Sequence, residues 1–209
     1  MLGRTLLLTL GAGLLAACGS TPDAPRRTGA AAVIAQGPVN QTPLRAGFLP
    51  DRVSFLQKDP RWAGDRLGNS ADTLASDGCV VTSVAMALGN LGFQTDPADL
   101  NARLTESGNF TPRGWLIWNG VSEVTGGRAQ AHYYDTVSEG LIAQCMARGD
   151  YPLVRFILPN GRSHWAMVVG RSANGYHMRD PLRDYKRPLV FPRGADAFKS
   201  LRCIGLNDA

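Results

Sequence analysis

Charge is scarce in this chain, and so are the residues that usually hold metals. Only 19% of its 209 residues are charged, and there are four cysteines and three histidines. His132, His177, Cys145 and Cys203 show no Cys-x-x-Cys or His-x-x-x-His spacing, so a zinc site is not expected. Basic residues form no run or stripe with interleaved aromatics, which argues against nucleic-acid binding. No repeat or coiled-coil periodicity runs through the sequence. No apolar stretch approaches the roughly 20 residues needed to span a bilayer. What remains, with 44% apolar residues, is enough material for one good-sized core.

The first residues differ from the rest. Arg4 precedes a short apolar run, Thr5 to Leu15, and then comes Leu15-Ala16-Ala17-Cys18-Gly19. This pattern predicts a secretory signal over residues 1–17. The Leu-Ala-Ala-Cys-Gly string resembles the bacterial lipobox, which implies lipidation of Cys18 and an extracytoplasmic, membrane-anchored protein of the cell envelope. Two or more acyl chains give stable anchoring. The alternative is an ordinary cleaved signal with a chance cysteine. Residues 18–50, rich in Pro and Ala with scattered Thr, Asn and Gln, are expected to form a tether, in which a short strand within Ala31–Ala35 is allowed but not needed. Cleavage after Ala17 leaves 21 basic and 17 acidic residues, a mildly basic net charge of +4.

The folded domain is expected from 51 to 209. Val81, Val84, Ala85, Leu88 and Leu91 recur at three and four, predicting a buried helix that starts near Cys79 and stops at Gly92. A second helix is signalled by Asp96, Pro97 and Asp99. A third is expected from Thr111-Pro112 to Gly126-Gly127, and a fourth from about Val137 to Arg148. Beyond these, 153–158, 164–170, 176–179, 189–191 and 201–206 are short apolar segments separated by Gly, Pro and Asn. They predict antiparallel strands. Helices followed by a sheet define an α+β class.

Candidate chemistry centres on Gln57, Cys79, His164 and Asp180. A thiol at a helix amino end meets unpaired N–H groups and the positive end of the dipole, which favour thiolate. Gly78 before it offers close backbone approach to a substrate carbonyl. From position alone, Cys79 is equally a small buried residue or half of a disulfide. His164 follows a turn at Gly161 and opens a strand. A hairpin turn centred near residues 172–173, within Ser172-Ala173-Asn174-Gly175, sets His164 opposite residue 180 or 182, so His164 and Asp180 share a sheet face and His177 takes the other. A one-residue bulge would reverse that parity. Asp184 is the reserve carboxylate. Cys145 and Cys203 are either a disulfide or two buried free thiols. Trp62, Trp115 and Trp118 are expected to pack the helical half, and Trp165 is a candidate shield for the base.

Taken together, Gln57-x-Asp59-Pro60-x-Trp62, Gly78-Cys79-x-x-Thr82-Ser83-x-Ala85-Met86-Ala87-Leu88, Ser163-His164-Trp165-x-x-Val168-Val169-Gly170 and Asp180-Pro181 resemble the C39-like peptidase family, which has a papain-like fold. The resemblance spans about residues 53–182. It implies a helical half carrying the nucleophile Cys79 and an antiparallel sheet carrying the base His164 and its orienter Asp180. Gln57 would be the side-chain donor of the oxyanion hole, or else a surface or strand-cap glutamine. The resemblance implies hydrolysis of a peptide or protein substrate through a thioester, with no metal or cofactor, in a monomer. The competing expectations are a catalytically silent peptide-binding adaptor of the envelope and a relative of the NlpC/P60 wall hydrolases, whose Asp-Cys-Ser-Gly pattern is missing here.

Overall fold

The computed structural model describes residues 33–38, 47–183 and 186–207. Cys18, the signal segment and Asp184 lie outside the described residues. In chain order the elements are α1 (Leu74–Asp77), α2 (Cys79–Asn90), α3 (Pro97–Glu106), α4 (Gly120–Val124), β1 (Ala129–Tyr134), α5 (Glu139–Ala147), β2 (Tyr151–Ile157), β3 (Ser163–Ser172), β4 (Gly175–Arg179), β5 (Leu189–Phe191) and β6 (Ser200–Leu206). The strands form one antiparallel sheet in the order β1-β6-β2-β3-β4-β5.

Side-chain alternation gives the sheet two apolar faces. On one, Leu153, Met167, Val169 and Ile204 pack with Val84, Ala85 and Leu88 of α2 and with Leu100 and Leu104 of α3. On the other, Val154, Ala166, Val168, Met178 and Leu201 pack with Ile142 and Cys145 of α5. The molecule is therefore layered helix–sheet–helix, with α2 the central buried rod.

Local signals explain most element ends. The Asp96 side chain accepts from the Asp99 N–H, and Pro97 sits at the first turn of α3. Ser138 caps α5 in the same way. The predicted third helix is corrected. Thr111-Pro112 opens a tight turn instead, in which the Gly114 N–H donates to Thr111 and the Thr111 N–H to Trp115. Gly114 has φ +73°, which a residue with a side chain rarely adopts, and only the short α4 follows. β1 was not expected at all, because Ala129-Gln130-Ala131-His132 lacks the β-branched residues that mark a strand.

The tether expectation is also corrected at two places. Ile34 is fully buried, and its N–H donates to the Val124 carbonyl while Arg128 donates to the Ile34 carbonyl. Gln36 bridges Phe93, and Phe48 bridges Gly170. Two adjacent apolar residues, Val33 and Ile34, amid Ala, Gly and Pro give no sustained period, so a burial set by tertiary packing does not show in the sequence.

Candidate active site

The β3–β4 hairpin decides where the imidazole points. Its turn is Ala173-Asn174, with Ser172 facing Gly175, Arg171 facing Tyr176 and Gly170 facing His177. In that register, even residues of β3 share a face with odd residues of β4, which would separate His164 from Asp180. The register shifts between Val168 and Gly170, so that Val168 faces Met178 and Met167 faces Arg179. The extra residue, Val169, is a β-bulge, and beyond it even residues face even ones. His164 and Asp180 thus reach one face through two offsets that cancel, a turn one residue away from the simple expectation and a bulge that restores it. The bulged backbone is not left open, since the Leu49 N–H donates to the Val169 carbonyl.

The His164 Nε2 is 2.6 Å from Asp180 Oδ1, and both side chains are nearly inaccessible to solvent. The same carboxylate oxygen accepts from the Leu182 N–H at 2.9 Å, so Asp180 is itself held in place. Phe156 meets the His164 ring edge-on, with centroids 5.4 Å apart. That shielding role had been expected of Trp165. Trp165 instead lies on the opposite face, as alternation requires, against Trp118. His177 contacts Ser172 and Phe48 away from this site.

Cys79 is the first residue of α2, so its N–H has no intrahelical acceptor. It is the one free cysteine among the described residues and is half-buried rather than sealed. Asp180 takes the His164 Nε2, and Cys79 lies close enough to the same ring to favour its charged form. Burial opposes charge on this imidazole, yet the hydrogen bonds and charges of Asp180 and Cys79 outweigh it and push the pKa up to about 9. Gly78 has an ordinary φ of −76°. Its lack of a Cβ matters to the fold itself, because a side chain there would overlap the Leu74 carbonyl.

Gln57 is 2% exposed and lies beside the cysteine after all. Its Nε2 donates to the Ala75 carbonyl at 3.0 Å, which fixes the amide orientation, because only the nitrogen can donate there. Its backbone N–H donates to the Pro181 carbonyl, stitching it to the Asp180 segment. Gln57, Cys79 and His164 line one cavity of about 240 Å³. Sequence reasoning missed Asp77 and Arg162, which close its rim. The Arg162 guanidinium donates to Asp77 Oδ1 at 3.0 Å and to the Ser76 carbonyl at 3.1 Å. Each stands two residues before a member of the Cys79/His164 pair, a symmetry visible only once the two segments meet.

Cys145 of α5 and Cys203 of β6 form a disulfide with Cα atoms 6.0 Å apart. Trp62 is buried, with its indole N–H donating to Leu56, but Trp115, expected in the core, is 64% exposed. Among the described residues no three His, Cys, Asp or Glu side chains gather as a metal site.

Helices packed on both faces of an antiparallel sheet, with a thiol and an imidazole lining one cleft, make this a mixed α+β fold. A crystal structure of a candidate C39-like peptidase from Bacillus anthracis matches it with a TM-score of 0.51 at 15% identity, covering 79% of this chain and 100% of that one. At that identity the likeness is one of fold. No family model and no curated protein matches the chain.

Proposed function

We propose that the protein is a papain-like, C39-like cysteine peptidase or amidase, lipid-anchored through Cys18 on the extracytoplasmic side of the bacterial envelope. The observation that carries this reading is the hydrogen-bonded Asp180–His164 pair, whose imidazole lines one cavity with the Cys79 thiol. The disulfide between Cys145 and Cys203 supports an oxidising compartment.

Asp180 holds the imidazole ring with one nitrogen bound, leaving the other for Cys79. The Cys79 sulfur attacks the substrate carbonyl carbon and gives up its proton to His164. The carbonyl oxygen becomes an oxyanion, which accepts from the Cys79 N–H and from the second hydrogen of Gln57 Nε2. As the tetrahedral species collapses, the carbon–nitrogen bond breaks and His164 returns the proton to the leaving amine. Water, deprotonated by His164, then attacks the thioester, releasing the acid and restoring the thiol.

The test combines a probe with turnover. Cys79 in the wild-type chain should react with iodoacetamide at neutral pH about tenfold faster than in His164→Ala, and peptide-library hydrolysis should fall by roughly 10³-fold in Cys79→Ala. Equal alkylation rates together with no hydrolysed peptide would end the enzyme reading in favour of a peptide-binding adaptor.

A further inference from the structure

Ser163 lines the cleft, and its face of the sheet continues away from it as a row of aromatic and guanidinium groups. Arg155 of β2 lies across from Trp165 of β3, and its Nη1 reaches Ser163 Oγ at 3.4 Å. Trp165 meets Trp118 at 5.4 Å between ring centroids. The Arg202 guanidinium, on β6, stands 5.7 Å from the Trp118 ring and 4.2 Å from that of Tyr133 on β1. Four adjacent strands at about 4.8 Å spacing make this strip roughly 15 Å wide.

Two properties set the strip apart from a simple core margin. Arg155 donates only to neutral acceptors, namely Ser200, Ser163 and the Lys199 carbonyl, and among the described residues neither it nor Arg202 forms an ion pair with a carboxylate. Arg202 Nη1 donates to the Leu201 carbonyl at 2.6 Å, while its Nε is buried with no hydrogen-bond partner among the described residues. Arg202 between two aromatic rings and Arg155 across from Trp165, with no carboxylate among the described residues paired to either, are complementary to an acidic partner. Trp, Tyr and Arg are also the residues that concentrate binding energy at protein interfaces.

We infer that this strip is a docking surface for the substrate polypeptide, taking carboxylate side chains on Arg155 and Arg202 and apolar side chains against Trp118 and Trp165. The inference rests on the peptidase reading of the cleft, with which the strip is continuous at Ser163. An extended peptide of about 8 residues, some 27 Å long, would cover both.

Binding is measurable without turnover. Fluorescence anisotropy of the full chain carrying Cys79→Ala is followed with a labelled peptide of alternating Glu and Leu, and with its Gln-for-Glu counterpart. The Glu peptide should bind at least about tenfold more tightly. That preference should disappear in Arg202→Met and shrink in Arg155→Gln, two variants on different strands, each checked for its folded circular dichroism. Trp118→Ala should weaken both peptides alike. Equal affinity for the two peptides, or a preference untouched by either arginine variant, overturns the inference. So does binding of an anionic wall glycan, in place of both peptides, through the same arginines. Because Cys79 is absent, failure here leaves the catalytic reading to stand or fall on its own test.

Discussion

At His164 two influences oppose each other. Burial disfavours the imidazolium, while Asp180 and Cys79 favour it and prevail, carrying the pKa from 6.5 to about 9. A raised pKa means that the stabilisation it represents is full below pH 6.5 and is lost as pH rises towards about 9. Leaving-group protonation should follow the same limit, so hydrolysis falls as pH passes about 9. In Asp180→Asn the strongest raising interaction is gone, and the alkaline limb of the pH–rate profile should move to lower pH. An unmoved limb would mean that His164 does not set it. Cys79 and His164 could be singled out from the motifs around them, although position alone left Cys79 equally a small buried residue or half of a disulfide. Asp77, Arg162 and Phe156 could not, because each acquires its role only from a partner far along the chain.

Among the elements, strands were easier to foresee than helices. Glycine, proline and asparagine interrupt the apolar segments from residue 153 onward, and five strands lie where that punctuation sets them. Thr111-Pro112 carries the same start signal as Asp96-Pro97, but Gly114 turns the chain two residues later, and local capping chemistry alone does not distinguish them. The hairpin is more instructive. Its facing pair was foreseen correctly from a register that is wrong at the turn and put right by Val169. Deleting Val169 should therefore flip the start of β3, separating His164 from Asp180, and abolish turnover while leaving a folded chain of reduced stability; thermal melting and alkylation of Cys79 would check both. Gly78→Ala, which drives a Cβ into the Leu74 carbonyl, should cost about 2 kcal/mol or more in urea denaturation and lower turnover through the displaced Cys79.

For the whole molecule, the disulfide joins α5 to β6, the second strand from one edge of the sheet, across 58 residues of sequence. Chain entropy assigns a loop of that length about 4 kcal/mol. The Cys145→Ala/Cys203→Ala double variant should lose stability on that scale by urea unfolding, and a loss below about 1 kcal/mol would show that the bridge adds little to a core already closed by packing.

The burial of Ile34 has a consequence for reach. From Cys18 to Val33 the chain advances 15 residues, a contour of at most about 54 Å however it runs. With Cys18 as the proposed anchor, the leash between bilayer and body is that short, and the cleft patrols a thin shell above the lipid. Cargo held at the same surface would meet it at a locally enriched concentration, whereas molecules diffusing freely through the compartment would gain nothing from the anchorage.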